Sequence, residues 1–268
     1  MTEGDVFETQ TRASQVKAEV VARYFWVWAE IATNTAREIG YVDLFAGPGH
    51  YGDGAKSAPL LILERAIADA KFARILHVVL NDRDEGSVDV LRKAVARLPG
   101  IATLQHAPTI MCHEVDEAVI QWIATKWCYP SLVFLHPLGC KGLSVRLIHA
   151  ALSRQLTEVV FFFNYNRLDA ALTKGFMKGN VAALLTAERA QALRREVQGL
   201  EPEERERRVL DAIRTDVTVN GRYHWQDFRF TSSDADKTSH YLVLATKHPA
   251  GLKPMKDIVG DISTVIPA

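Results

Sequence analysis

Cysteine is scarce in this chain of 268 residues: there are three, at positions 112, 128 and 140. This number and spacing exclude a disulfide framework and offer no close pair of the kind that zinc and iron–sulfur sites use. We expect all three thiols in or near the core. Long apolar runs are absent as well. The longest have five or six residues, as in Val159–Phe163, far short of the roughly 20 residues that a membrane-spanning helix needs.

Neither sign of charge is in excess, because Lys plus Arg and Asp plus Glu both number 32. This balance argues against a strongly basic nucleic-acid coat or a polybasic membrane binder, although a local basic patch remains compatible with it. The segment Met1–Asp5 is acidic and polar, and no apolar core of a signal peptide follows it. These features predict a cytoplasmic protein that does not bind membranes.

Short apolar runs alternate with stretches of helical periodicity along most of the chain. Helical spacing extends from Arg12 to Glu38, and a mainly helical stretch over 168–220 contains the charge run Glu201–Arg208, interpreted as a solvated helix start. The predicted strands are 41–45, 75–80, 101–105, 132–135, 158–163, 223–231 and 241–246. The last two have no crossover helix between them, which favours an antiparallel hairpin at the edge of the sheet.

This order predicts an α/β, Rossmann-like fold: a mostly parallel seven-stranded sheet with an antiparallel edge strand, helices on both faces and a helical insertion. We expect one domain over 1–268, with an N-terminal helical segment at 1–38 and the insertion at 168–220. In such open sheets, ligands bind at the carboxyl ends of the strands.

The first strand is followed by a glycine loop. Gly47, Gly49 and Gly52 satisfy the pattern of dinucleotide-binding loops. That pattern needs a helix to begin within the loop, whereas Pro59 indicates a later helix start. The pattern also expects an acidic residue about 20 residues further on, whereas the second strand ends at Asp82, after a longer stretch of chain. Binding of NAD or FAD is therefore disfavoured.

Two carboxylates at strand ends fit another cofactor better. Asp43 can accept from a cationic amino group, Asp82 can accept from both hydroxyls of a ribose, and glycines let the backbone approach an adenosyl group. The arrangement resembles class I S-adenosylmethionine (SAM) methyltransferases. The cofactor-binding residues that this resemblance implies are Asp43, Phe45, Ala46, Gly47, Pro48, Gly49 and Asp82. The alternative is structural: Asp43 caps a turn and Asp82 ends a loop.

The turn after the fourth strand, His136–Gly139, stands where amino-directed methyltransferases carry an Asp/Asn-Pro-Pro-aromatic turn. There the turn accepts from the target amine and orients it for in-line displacement. A neutral imidazole at His136 can accept a hydrogen bond or a proton, or it can merely complete the turn. The residues expected near the transferable methyl group are His136, Pro137, Asn164 and Arg167.

Several segments together resemble the three-Cys-motif partner proteins, and the resemblance covers nearly the whole chain. They are Asp43–Gly49, Ser57–Leu60, Leu80–Asp84, Pro137–Gly142, Phe163–Arg167, Tyr241–His248 and Met255–Asp257. The resemblance implies a methyltransferase fold with SAM as cofactor, and a radical-SAM-type partner that carries the three cysteines. The glycine loop and Ser57–Leu60 are also similar to large-subunit rRNA adenine methyltransferases, which suggests a nucleic acid as one substrate class.

The sequence departs from that family at the fourth strand, where Asp-Pro-Phe-Gly is replaced by His136–Gly139. The resemblance therefore leaves two functions open. One is a SAM-dependent methyltransferase that acts on a nucleic-acid base or a small molecule. The other is a catalytically degenerate module that binds SAM or the partner without methyl transfer.

A loose group of metal-binding residue types, His106, His113, Glu114 and Asp116, lacks the spacing of a ligand set. We interpret these residues as solvent-exposed loop positions and predict no metal.

Overall fold

The computed structural model describes residues 12–52, 54–137, 142–174, 184–231 and 238–265. The helices are α1 Arg12–Ala32, α2 Ala58–Ala68, α3 Phe72–Ile75, α4 Glu85–Ala96, α5 Glu117–Thr125, α6 Val145–Ser153, α7 Tyr165–Lys174, α8 Ala187–Glu196, α9 Pro202–Thr218 and α10 Leu252–Val265. The strands are β1 Ile39–Asp43, β2 Leu76–Asp82, β3 Thr109–Cys112, β4 Ser131–Leu135, β5 Glu158–Asn164, β6 His224–Thr231 and β7 Thr238–Thr246.

The strands form one seven-stranded sheet in the order β3-β2-β1-β4-β5-β7-β6. β1 pairs in parallel with β2 and β4, and β2 pairs in parallel with β3. β7 is antiparallel to both β5 and β6. This confirms the predicted mostly parallel, Rossmann-like sheet with antiparallel pairing at its edge, and it confirms the terminal hairpin.

The described part of the chain divides into two compact units. The first is drawn from Met1–Glu114, Cys128–Phe134 and Lys253–Ala268, and the second from Val115–Trp127 and Leu135–Leu252. The expected single domain stays a prediction.

In the first unit, β1 is buried at every position because it lies between β2 and β4. Local sequence explains where the helices begin. Pro59 occupies the first turn of α2, where its missing N–H costs nothing. The Oδ2 atom of Asp84 accepts from the backbone N–H of Ser87 at 2.7 Å and caps α4. The capped start of α4 fixes the segment that directly follows the end of β2.

In the second unit, the aromatic residues of β5 supply much of the core: Phe161 and Phe163 are almost fully buried. β7 lies between β5 and β6, and its residues from Tyr241 to Thr246 are buried, as expected for a strand with neighbours on both sides. The insertion is helical as predicted in its described parts, where α7, α8 and α9 lie. Residues 175–183 of it are outside the described residues.

The third strand is the main error of the sequence prediction. Ile101–Thr103 forms a short 3-10 turn instead of a strand, directly after Gly100 with its φ of +80°. The strand that pairs with β2 is Thr109–Cys112, with Val79 opposite Thr109. A short apolar run does not specify a strand, because the ladder partner decides which residues pair. The helix α10 was not predicted.

No helix in the described ranges is both long and apolar enough to cross a membrane.

Candidate functional site

Asp43 ends β1 inside the first unit with a side chain that is 1% exposed. Its Oδ1 accepts from the backbone N–H of Phe45 at 3.0 Å, and its Oδ2 accepts from the hydroxyl of Tyr41 at 3.3 Å. Burial raises the pKa of Asp43 to about 7, opposed by the Phe45 hydrogen bond and by the charge of buried Lys17. Asp43 therefore shapes the exit from β1, as the structural alternative proposed. Its predicted contact with the cofactor's amino group stays a prediction.

The glycine loop depends on two left-handed residues. Gly47 has φ +61° and Gly49 has φ +86°, a region that L side chains rarely adopt. A Cβ at Gly49 would lie 3.0 Å from Cδ1 of Leu91 and 3.3 Å from Cδ1 of Leu60, so this glycine also permits close packing. Beside Gly47, in contrast, no atom of the described residues other than its two chain neighbours lies within 4 Å of the Cβ position. The loop is thus packed on one side and open on the other.

Asp82, at the end of β2, holds this loop in place. Its Oδ2 accepts from the backbone N–H of Gly47 at 3.0 Å, and its Oδ1 accepts from the backbone N–H of Asp84 at 3.0 Å. The side chain is only half-buried. Because each carboxylate oxygen can accept more than one hydrogen bond, Asp82 retains acceptor capacity toward a ligand.

Asn81 is a positioning residue that the sequence prediction missed. Its fully buried side chain donates to the carbonyls of Leu44 at 3.1 Å and His113 at 2.9 Å, and it accepts from the N–H of His113 at 3.0 Å. It thereby ties the segment after β1 to the segment after β3. Asn81 lies within the motif Leu80–Asp84, in which the sequence prediction assigned a role to Asp82 alone.

The remaining cofactor-site residues lie in the same loop. The N–H of Ala46 donates to the carbonyl of Asn81 at 2.9 Å, while Phe45 and Pro48 are half-buried. α2 begins only at Ala58. The late helix start agrees with the argument against a dinucleotide fingerprint, which requires the glycines to lead directly into a helix.

In the second unit, three of the four residues predicted near the methyl group lie in or against its packed interior. The ring of His136 contacts Phe162 edge-on, with centroids 4.8 Å apart, and Pro137 is buried. Asn164 accepts from the N–H of Arg167 at 2.9 Å through Oδ1, and its Nδ2 lies 2.9 Å from Nε2 of His240. The Arg167 side chain is exposed. The rest of the predicted turn, residues 138–141, lies outside the described residues.

Two minor predictions have mixed outcomes. His113, Glu114 and Asp116 are exposed, as expected for loop positions, whereas His106 is half-buried, so the prediction is wrong for His106. Cys128 is exposed and Cys112 half-buried, so the prediction of a core or near-core position is wrong for Cys128. Cys128 lies between α5 and β4, in a short connecting segment outside any helix or strand. Cys140 is outside the described residues.

No family model and no curated protein matches this chain. The chain is similar to the solved methyltransferase domain of bacterial CtHen1, with 12% identity, TM-score 0.40, and coverage of 86% of this chain and 98% of that one. It is also similar to LPL1258 from Legionella pneumophila, with 11% identity, TM-score 0.49, and coverage of 92% and 91%.

A third similar structure is the plantazolicin methyltransferase BpumL, solved with SAH, at 10% identity and TM-score 0.44, with coverage of 88% of this chain and 84% of that one. At such identities and TM-scores, these likenesses carry no argument about activity. Membership of the three-Cys-motif partner family stays a prediction.

Proposed function

We propose that this protein is a SAM-dependent methyltransferase whose cofactor binds at the carboxyl ends of β1 and β2. One observation carries the proposal: Asp82 holds the N–H of Gly47 while remaining half-exposed beside a loop whose face at Gly47 is open. The flat adenine ring of an adenosyl group needs close approach of the backbone, and its ribose diol needs a carboxylate that accepts hydrogen bonds. The loop and Asp82 offer both within one unit.

These residues also fit the charge and shape of the cofactor. A carboxylate that accepts from ribose hydroxyls forms charge-assisted hydrogen bonds, which are roughly twice as strong as neutral ones. Asn81 and Asp82 fix the loop before binding, so that little ordering entropy is lost on association. A bound SAM would supply an electrophilic sulfonium methyl group for in-line transfer to an acceptor heteroatom, with S-adenosylhomocysteine as the leaving group and loss of the acceptor's proton.

On the acceptor side, we propose a nucleic-acid base or a small molecule. The guanidinium of Arg167 is exposed and can pair with a phosphate or carboxylate of such a substrate. The chain has a net charge of zero, which provides little of the electrostatic affinity that nucleic-acid binding needs. A three-cysteine-motif, radical-SAM-type partner that adds a basic surface would supply the rest, and we propose it as the partner of this chain.

A second function is favoured by the bonding of Asn164. Both ends of its amide are engaged within the protein, with Arg167 and His240, and a histidine stands where the family has a carboxylate. A module that binds SAM or the partner without methyl transfer would leave these groups in such internal contacts. The two functions share the cofactor site and differ only in the acceptor chemistry.

The test of the proposed function is calorimetric titration of the purified chain with SAM, followed by transfer of radiolabelled methyl groups to RNA and to small-molecule pools. We expect micromolar binding that Asp82→Ala weakens by about tenfold or more, since a charge-assisted hydrogen bond is worth about 1.5–3 kcal/mol. Asp116→Ala is the matched control, because Asp116 also accepts only from backbone N–H groups, at the start of α5.

Absence of SAM binding to the folded chain would contradict the enzyme and would leave only the module that binds the partner. Binding that Asp82→Ala leaves unchanged would contradict the assigned site. Binding without transfer to any acceptor, with and without the three-cysteine-motif protein, would support the module and contradict the enzyme.

A further inference from the structure

The amino ends of the first unit's strands carry a second polar cluster. Glu38 directly precedes β1, His77 is the second residue of β2, and His106 lies in the segment that leads to β3. Asp43 and Asp82 stand at the opposite ends of the same strands. At the usual rise per residue, the amino and carboxyl ends of β1 are about 16 Å apart. This cluster is therefore distinct from the proposed cofactor site.

One carboxylate oxygen serves both imidazoles. The Oε1 atom of Glu38 lies 3.2 Å from Nε2 of His77 and 3.2 Å from Nε2 of His106. The three potential ligand atoms all lie within 4.8 Å of one another. Nε2 of His106 is buried, and none of the described residues forms a hydrogen bond with it at an acceptable angle. A buried nitrogen in this state is costly unless some other group satisfies it.

The ring of His77 lies between two other rings. The rings of His77 and His106 stack with centroids 3.8 Å apart, and the other face of His77 stacks on Tyr129 at 3.7 Å. Burial lowers the pKa of His77, opposed by Glu38, and so favours the neutral ring. A neutral imidazole is the form that binds a metal ion.

We propose that Glu38, His77 and His106 form a binding site for a divalent transition-metal ion, with Zn²⁺ as the best fit and water completing the coordination. Two imidazole nitrogens and a carboxylate oxygen are a preferred ligand set for zinc. In a tetrahedral site with bonds of about 2.0–2.1 Å, ligand atoms lie about 3.3 Å apart. The carboxylate-to-imidazole distances of 3.2 Å match that separation.

One adjustment accompanies binding. The two rings are stacked and tilted by only 22°, so the Nε2 lone pairs lie in two separate, nearly parallel planes and one ion cannot lie in both. A shared ion requires one ring to turn about its Cβ–Cγ bond. His106 lies outside any strand, and its side chain is 25% exposed, so it is the ring that turns.

The test is calorimetric titration of the chelator-treated full chain with ZnCl₂ at pH 7.5. We expect one ion per chain, and at least about a hundredfold loss of affinity in His77→Ala and in His106→Ala, because each removes a direct ligand. His113→Ala is the matched control, since His113 is an exposed histidine outside the cluster. Glu38→Gln tests the same site at a half-buried side chain outside the core.

Cobalt provides a second readout that separates this site from the cysteines. Co²⁺ bound by imidazole and carboxylate gives visible ligand-field bands without the intense near-ultraviolet band of thiolate ligation. The proposal is overturned if zinc does not bind, if His106→Ala and Glu38→Gln bind it as tightly as the unchanged chain, or if the cobalt complex shows thiolate ligation. If the cluster only exchanges protons, zinc will not bind.

Discussion

The two ends of β1 and β2 gather polar groups by different means. At the carboxyl ends, backbone N–H groups and carboxylates dominate, and left-handed glycines make the close approach possible. At the amino ends, imidazole rings stack on one another and face a single glutamate. A site built from backbone depends on chain conformation, whereas a site built from side chains depends on packing. Substitutions should therefore damage the two ends in different ways.

Gly49→Ala should produce the largest effect. Its φ of +86° strains any L residue, and the new Cβ would meet Leu91 at 3.0 Å. We expect a loss of about 2–4 kcal/mol in the free energy of unfolding. Gly47→Ala is the matched variant, with φ +61° and open space, and should lose only about 1–2 kcal/mol. Urea denaturation of both checks this, and equal losses would refute the packed-and-open description of the loop.

Asn81→Ala should lower the free energy of unfolding by about 2–3 kcal/mol, because it leaves buried backbone groups at Leu44 and His113 without their partner. Asn34→Ala, at an exposed turn, is the control and should change stability by less than about 0.5 kcal/mol. If Asn81→Ala lowers the free energy of unfolding no more than the control does, the hydrogen bonds of Asn81 do not stabilise the carboxyl ends of these strands.

Asp43 should make the stability of the chain fall as pH rises. Its pKa is about 7 in the folded state and near 3.8 when exposed in the unfolded chain, so the folded state binds more protons between these values. Stability is therefore lost between about pH 4 and 7, by about 1.4 kcal/mol for each unit of pKa difference.

Asp43→Asn keeps an acceptor for Phe45 and should remove this part of the pH dependence. Urea unfolding of both chains from pH 4 to 8 checks this. Parallel stability curves for the two chains would contradict the raised pKa.

The smallest predicted effect concerns Tyr129, which stacks on His77 without offering itself as a ligand. If stacking positions the imidazoles, Tyr129→Ala should weaken zinc binding by about three- to tenfold, an aromatic pair being worth about 0.5–1.5 kcal/mol. Tyr129→Phe keeps the ring and should restore the affinity. Equal weakening in both variants would assign the effect to the hydroxyl instead of the stack.

The sequence predicted the elements that repeat a strong local pattern. The apolar runs predicted as strands at 75–80, 132–135 and 158–163 form β2, β4 and β5, whereas β1 begins and ends two residues before the predicted 41–45. β3 was misplaced because its four residues are half-buried or exposed and gain their strand conformation from pairing with β2. Short strands of that kind carry little signal of their own.

The same limit applies to the sites. The glycine loop and Asp82 could be predicted because contiguous motifs encode them. The cluster of Glu38, His77 and His106 could not, since its members come from three separate segments that only the parallel pairing of β1, β2 and β3 brings together. His106 was grouped with its sequence neighbours, whereas its actual partners precede it by 29 residues or more.

The most direct test of the proposed cofactor site is amide NMR of the chain labelled with ¹⁵N-glycine, titrated with SAM. The chain has 16 glycines, and Gly47→Ala identifies the resonance of Gly47. We predict that the amides of Gly47 and Gly49 shift on saturation, while that of Gly221, in the second unit after α9, stays in place. Binding of SAM without a shift at Gly47 and Gly49, or with shifts only elsewhere, would contradict the proposed site.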